Sequence, residues 1–391
     1  MGGIQYSQTK QGGWLGKIDA PLDAKLTAVK WGKYKLGDLF NHIEQGRRLK
    51  KVDQQPGNIP FVMSGVTNQG VVGHVANPVA SFPANSITID IFGNAFYRSY
   101  AFGAGDDTGV YWNDGVTYTQ RQLLFMAATI GKSLSGKYTF GHKLRSSKSS
   151  DIKIPLPQTT NGKIDFTFME EFVHEIEKLR ISELENIKKQ KLNAYLTALN
   201  LTDYTITRDE ENAIKQYPSL YWQEFNLKKL FGNSSRGKRL KSDDRLPGML
   251  PFVTAGEINA GISAFIGNKV TVFHKNTTTI DMFGSAKYRN YEYGADDHVA
   301  VVHTDHFPQL AAIFVTAACH KAAHTGKFNY GNNFYASDAD DLNILLPIKD
   351  GVPDIKTMET LIRAAQKLVI KDMVDDSDLH ITTAKKIVDK S

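Results

Sequence analysis

The 391-residue chain has a single cysteine, Cys319. That excludes an internal disulfide and fits a reducing cytoplasm. No apolar run approaches the roughly 20 residues that a membrane-spanning helix needs. The opening MGGIQYSQTKQGGW lacks the basic-then-apolar pattern of a secretory signal, and Tyr6 stands where a myristoylation signal calls for a small hydroxyl residue. No P-loop is present, so ATP-driven work would have to come from another chain. The catalytic Asn-Pro-Pro-aromatic loop of amino-methyltransferases is also missing, ANPV at 76–79 being no match, and the FGAG at 102–105 is a weak glycine pattern whose counterpart is YGAD.

What is present is an ordinary globular composition, 41% hydrophobic and 23% charged, with a formal net charge of +6. The excess suits an anionic partner. It is uneven: residues 30–157 hold 15 Lys+Arg against 8 Asp+Glu, and residues 221–349 hold 14 against 12.

The chain is internally duplicated. TIDIFGNAFYRSY at 88–100 returns as TIDMFGSAKYRNY at 279–291. Offset by 191 residues, the stretch from Trp31 to Ala104 gives 32 identities in 74 positions without a gap. GRRLK at 46–50 meets GKRLK at 237–241, and PGNIPFV at 56–62 meets PGMLPFV at 247–253. After a one-residue deletion, GKYTFG at 136–141 meets GKFNYG at 326–331. A period this long, present twice, means two domains rather than a solenoid, with a pseudo-twofold as the usual arrangement.

Each copy reads as a mixed α/β, β-rich domain: short apolar runs are separated by Gly, Pro, Asn and Asp. A helix is predicted near 120–131 with Gly131 at its end, and its counterpart at 308–318. In the repeated string, Ile87, Ile89 and Ile91 alternate with Thr88 and Asp90 as a strand does, Gly93 ends it, and Tyr97 and Arg98 follow on a loop. Residues 166–200 have no Gly or Pro and read as one amphipathic helix of about 32 residues, roughly 48 Å long, with a Thr167–Glu170 capping box. A weaker second helix is predicted over 356–391, with DDSD at 375–378 breaking it. The expected organisation is an N-terminal extension (1–30), domains at 31–157 and 221–348, a linker at 201–220, and two long helices packing antiparallel.

These motifs, twice in the same order and each time closing on a long helix, resemble the specificity (S) subunits of type I restriction-modification systems. The TIDIFGNAFYR string is similar in particular to the S subunits of type IIB systems. The resemblance covers nearly the whole chain from Trp31 onward, residues 1–30 having no counterpart. It implies two target recognition domains, each reading one half of a bipartite double-stranded DNA site. It also implies helices that set the spacing and dock methyltransferase subunits, and no catalysis on this chain. S-adenosylmethionine would sit on a partner adenine-N6 methyltransferase, and in a type I system ATP and Mg²⁺ on a restriction/translocase subunit. The setting would be cytoplasmic.

The residues themselves offer candidates. Arg47, Arg48, Lys50 and Lys51 in the first copy, and Arg236, Lys238, Arg239 and Lys241 in the second, sit beside glycines in loops suited to phosphate oxygens; isolated, each would be a solvated basic turn. Arg98 and Arg289, with Tyr97 and Tyr288, could read guanine or anchor phosphate. They could equally pair with Asp90 or Asp281, or with Asp106–Asp107 or Asp296–Asp297. The copies diverge most at HKLRSSKSSD (142–151) against NNFYASDADD (332–341). His142, Lys143, Arg145 and Lys148 there suit guanine or phosphate, and Asn332 and Asn333 suit adenine. Lys137, Lys327 and Asn329 flank the same divergence. A second variable site sets Thr67, Asn68 and Gln69 against Ile258, Asn259 and Ala260. A competing function is a duplicated Mg²⁺ nuclease using Asp90, Asp106 and Asp107 with Asp281, Asp296 and Asp297, although no acidic-x-Lys partner stands near. His320 and His324, four apart beside Cys319, read as a satisfied pair rather than a metal site, since the first copy has TIGKSL there.

Overall fold

The computed structural model describes residues 20–390. Most of the 1–30 extension therefore lies outside the described residues. The chain divides into two units, one formed by residues through Ile187 together with those from Leu379, the other by Lys188–Asp378.

The first unit is centred on a four-stranded antiparallel sheet ordered His42–Gln45, Thr108–Trp112, Ser86–Asp90, Ala95–Arg98. Every residue of Ser86–Asp90 is buried. Ile87 and Ile89 pack with Leu123, Met126 and Ile130 of the helix Gln120–Leu134, each such burial being worth about 1.5–3 kcal/mol. On the other face, Val110 joins Val62, Phe82, Phe102 and Ala104 of a second sheet. That sheet is ordered Val71–Val75, Pro56–Val62, Phe102–Ala104, Ser81–Phe82, with a parallel pair at its middle. Covering on both faces is why an alternating strand pattern ends up wholly buried. Tyr97 and Arg98 are not on a loop: the turn after Asp90 is tight, and they form the returning strand, paired Ile87↔Tyr97 and Ser86↔Arg98.

The helix starts on a capping box of Thr119 and Gln122. It does not stop at Gly131, which lies against the Ala95 backbone; it ends three residues later, before Gly136 at φ 73°. Trp31–Lys35 pairs with Lys153–Pro157 and delivers the chain to the first long helix, Phe166–Ala198. Its cap is Asp165, whose Oδ1 accepts from the Phe168 amide at 2.9 Å, instead of the expected Thr167–Glu170 box. Glu170 is engaged elsewhere, by Arg121 at 3.3 Å and by Thr119.

The second unit repeats the plan. Its central sheet is ordered Ser235–Arg236, Val299–Val302, Thr277–Asp281, Ala286–Arg289, with Thr278↔Tyr288 matching the register of Ile87↔Tyr97. Its helix, Gln309–Ala323, outruns the predicted 308–318 because Cys319 and Ala323 continue the buried face. Residues 201–220 are more than a linker. They hold the helix Arg208–Gln216, capped by a Thr207–Glu210 box, and Glu210 is buried against Lys367 at 3.0 Å.

The second long helix, Ile355–Lys390, is unbroken. At DDSD, Ser377 Oγ donates back to the Met373 carbonyl at 2.8 Å, and Asp378 pairs with Lys188. Tertiary partners thus override weak local helix propensity. Within the first unit Glu185 meets Lys385 at 2.6 Å, while Arg121 holds both Glu177 (2.8 Å) and the Val388 carbonyl. The two helices therefore run antiparallel there. Among the described residues no helix is long and apolar enough to cross a membrane.

Candidate nucleic-acid interface

The repeated string is the hub on which the surface loops of each copy are hung. Asp90 is 4% exposed and accepts five hydrogen bonds. Its Oδ1 takes the amides of Phe92 (2.8 Å) and Asn94 (2.9 Å). Its Oδ2 takes the Asn94 side chain (2.8 Å), the Ser64 hydroxyl (3.1 Å) and the Gly65 amide (3.1 Å). One carboxylate thus fixes the turn that follows it and the loop that leads to Thr67–Gln69. The next residue ties in two more segments: Ile91 N donates to the Asp107 carbonyl, and Ile91 O accepts from Leu144 N, each at 3.0 Å.

The second copy keeps this frame and changes its polar details. Asp281 Oδ1 accepts from the Phe283 (3.0 Å) and Ser285 (3.1 Å) amides, and Oδ2 from Gly256 N (3.2 Å). The Asn94 amide is lost to Ser285, and Lys287, in the place of Phe96, supplies a cation 3.5 Å from Oδ2. A buried charge keeps its partners although the partners differ.

Arg98 and Arg289 are corrected in role. Arg98 is 0% exposed and, among the described residues, pairs with no carboxylate. Its guanidinium donates to Thr88 Oγ1 (2.9 and 3.0 Å), the Gln69 carbonyl (2.6 Å) and the Tyr100 hydroxyl (3.4 Å). Desolvation holds its pKa below the ordinary arginine value. Arg289 likewise reaches Thr279, the Ala260 carbonyl and Tyr291. Neither side chain is placed to touch a duplex. What each grips is a loop with two consecutive left-handed residues: Asn68 (φ 46°) and Gln69 (φ 52°), or Asn259 (φ 49°) and Ala260 (φ 53°). Such a conformation costs roughly 1–2 kcal/mol per non-glycine residue, which the arginine hydrogen bonds offset. Tyr97 and Tyr288 are half-buried and donate to Asn85 (3.3 Å) and Asn276 (2.8 Å), so they too belong to the frame.

The other candidates stand outward. Arg47, Arg48, Lys50 and Lys51 are exposed, as are Arg236, Lys238, Arg239 and Lys241. Both basic loops are pinned by close backbone approach. Arg47 N donates to the Ala104 carbonyl at 2.8 Å and Lys238 N to the Ala295 carbonyl at 2.9 Å. A Cβ on Gly46 would lie 2.2 Å from the Gly105 oxygen, and one on Gly237 2.2 Å from the Asp296 oxygen. Arg145 donates to the Asp106 carbonyl (2.8 Å), and Arg236 to that of Asp297 (2.7 Å). Asn68, Gln69 and Asn259 are exposed at the loop tips, and so are Lys137, His142, Lys143, Lys148 and Lys327. Asn329 and Asn332 are exposed but serve their own turn, Asn329 Oδ1 accepting from Gly331 N (2.9 Å) and Asn332 Nδ2 donating to the Lys327 carbonyl (3.2 Å). Asn333 is half-buried against the Tyr335 hydroxyl. Sequence reasoning missed Phe140 and Tyr330, exposed aromatics at equivalent hairpin tips. The aromatic-Gly dipeptide inside both GKYTFG and GKFNYG was the signal available.

The nuclease alternative loses its central ligand, since Asp90 and Asp281 are spent on backbone amides. Among the described residues, the acidic group able to gather round a cation is Asp296, Asp297 and His298, and the equivalent positions of the first copy are Gly105, Asp106 and Asp107, so the group is not repeated. His320 and His324 stack at 4.7 Å between centroids. His320 Nδ1 accepts from the Ala286 amide, and its pKa is lowered by desolvation and by the neighbouring His324. The pair is satisfied within the fold.

Comparison with known proteins follows the duplication. The sequence profile of the type I restriction modification DNA specificity domain matches residues 28–186 and again 220–371. The type II restriction enzyme BgcI specificity subunit S.BcgI of Heyndrickxia coagulans is 30% identical over 155 residues, 39% of this chain and 45% of that protein, so the match spans under half of that relative's length. Among solved structures, the S subunit of a type I restriction-modification system from M. genitalium aligns over 93% of this chain and 95% of its own, at 16% identity and a TM-score of 0.44. The HsdS subunit of Thermoanaerobacter tengcongensis aligns over 92% and 94%, at 12% identity and a TM-score of 0.44. With the profile matched twice over most of its length, the chain belongs to the type I restriction-modification DNA specificity domain family.

Proposed function

We propose that this chain is the DNA-reading subunit of a restriction-modification complex, with each copy reading one half of a bipartite double-stranded site. The observation that carries this is the pair of buried hubs, Asp90–Ile91 and Asp281–Met282. Each holds a frame of loops in place; an outward basic loop is kept in both copies, while the outward tips, HKLRSSKSSD against NNFYASDADD, differ. A common frame with divergent tips suits two recognition surfaces of different specificity. Phosphate contacts from Arg47, Arg48, Lys50 and Lys51, and from their counterparts, would position each copy, and base contacts from the variable tips would select sequence. The long helices would set the gap between half-sites and dock methyltransferase subunits. S-adenosylmethionine, and any ATP-dependent motor or nuclease, would reside on those partners, and the complex would act in the cytoplasm.

Methylation mapping in a host carrying the intact locus tests this reading. A bipartite motif, methylated on adenine and lost when this chain is deleted, is the expected result. Cleavage of DNA by the purified chain with Mg²⁺ and no partner would overturn it.

A further inference from the structure

We propose that Phe140 and Tyr330 are duplex-contacting wedges, one per copy, each ring packing against a base step of the half-site its copy reads. The proposal rests on the DNA-reading function above. Phe140 is 81% exposed and Tyr330 84%. Four other large apolar side chains among the described residues are exposed by four-fifths or more: Val52, Tyr221, Met249 and Ile258. In the opposite copy these meet Asp243, Lys30, Asn58 and Thr67, so none recurs. Only the hairpin-tip aromatic is kept on both surfaces, at a position where folding gains little from it. A single exposed apolar side chain is ordinary on a protein surface, but its recurrence at the equivalent tip of both copies points to a contact made outside the chain.

The tips are built to hold a ring still. Each ring sits at the head of a two-residue turn closed by reciprocal backbone hydrogen bonds, Thr139 with His142 and Asn329 with Asn332, all 3.0 Å. Each ring meets, edge to face at 5.2 Å, the phenylalanine of the repeated string: Phe92 under Phe140 and Phe283 under Tyr330. Each hairpin is stitched to the hub, through Leu144 N to the Ile91 carbonyl (3.0 Å) and Phe334 N to the Met282 carbonyl (2.9 Å). A ring stiffened in this way loses little freedom on binding.

The surroundings favour nucleic acid over protein. Lys143 Nζ lies 5.3 Å from the Phe140 ring centroid, and Arg145 follows in the same segment, bonded to the loop that pins Arg47. In the second copy the hairpin begins at Lys327, and Arg236 stacks 5.0 Å over Tyr335, just beyond the tip. An apolar wedge flanked by cations is how proteins unstack a base step while holding the phosphates beside it.

The test uses the full chain with its methyltransferase partner and a duplex carrying the mapped site, with 2-aminopurine moved step by step through both halves. Phe140→Ala is expected to weaken binding by roughly ten- to a hundredfold. The slope of log affinity against log salt should stay unchanged, because no phosphate contact is lost. The 2-aminopurine signal of unstacking should vanish in one half-site only. Tyr330→Ala should do the same in the other half, and Phe140→Trp should restore binding. Wild-type affinity in Phe140→Ala, a changed salt slope, or an unstacking signal that persists would overturn the proposal while leaving the DNA-reading function intact. Loss of the methyltransferase with DNA affinity preserved would also overturn it, assigning the tips to a protein contact. No binding by the wild-type complex would remove both readings together.

Discussion

Asp90 accepts five hydrogen bonds from two loop segments and so underpins the surface proposed to read DNA. Replacing it by alanine strands the partly buried amides of Gly65, Phe92 and Asn94, where a fully buried unsatisfied donor would cost about 1–3 kcal/mol and a partly hydrated one less. Asp90→Ala is therefore expected to destabilise the first unit by about 3 kcal/mol. Hydrogen exchange should accelerate at residues 91–94, with the second unit unaffected. Glu210 makes a pH-dependent contribution in the other unit. Burial works against its charged form, but the Thr207 amide and Lys367 outweigh that and hold its pKa below the ordinary glutamate value. A depressed folded pKa gives stability that is complete above the unfolded value of about 4.3 and is lost as pH falls through the folded one. Thermal melts should show Glu210→Gln well below wild type at pH 7 and the gap closing below about pH 4. Lys367→Met, which leaves the buried carboxylate without its cation and with only the Thr207 amide, should cost about 3–5 kcal/mol at neutral pH. The residue scale is also where the sequence was least legible. Arg98 reads as a surface cation or half of a salt bridge, and nothing in the string says that carbonyls and a threonine hydroxyl will surround it. Such partners are set by the approach of residues 29 positions away.

At the scale of elements, more was readable. The duplication, the β-rich copies and the first long helix all follow from patterns the chain displays openly. What went astray were boundaries decided by tertiary contact. Helix Gln120–Leu134 runs past Gly131 because that glycine is packed on Ala95, and Ile355–Lys390 runs through DDSD because Asp378 finds Lys188. The AFYR strand was missed because the turn before it is held by a carboxylate rather than by a standard hairpin dipeptide. The same anchoring yields a prediction. The segments 142–151 and 332–341 join their hubs through backbone hydrogen bonds at equivalent residues, Leu144 and Phe334. Backbone anchors do not depend on side-chain identity, so grafting 332–341 in place of 142–151 should leave the fold intact. Methylation mapping should then show one half-site changed and the other preserved. Loss of both at once would contradict independent reading by the two copies.

For the molecule as a whole, the net charge of +6 divides into a strongly basic first copy and a nearly balanced second. Phosphate contact is sequence-blind and salt-sensitive, whereas contact to base edges selects sequence. The two kinds of residue should therefore separate in one experiment. Arg47→Ala combined with Arg48→Ala removes two exposed cations from a loop whose backbone is pinned at Arg47 N and whose Gly46 cannot move outward. The loop should keep its shape and lose only charge. Affinity of the assembled complex should fall on every duplex alike, and the magnitude of the log–log salt slope should shrink by about 0.9 for each phosphate released. The mapped motif should stay the same. The matching change in the second copy, Lys238→Ala with Arg239→Ala, should give the same slope change if the two basic loops are equivalent backbone clamps. A smaller change there would mean that the balanced copy leans more on its tips, and that the first copy supplies most of the electrostatic hold on the duplex.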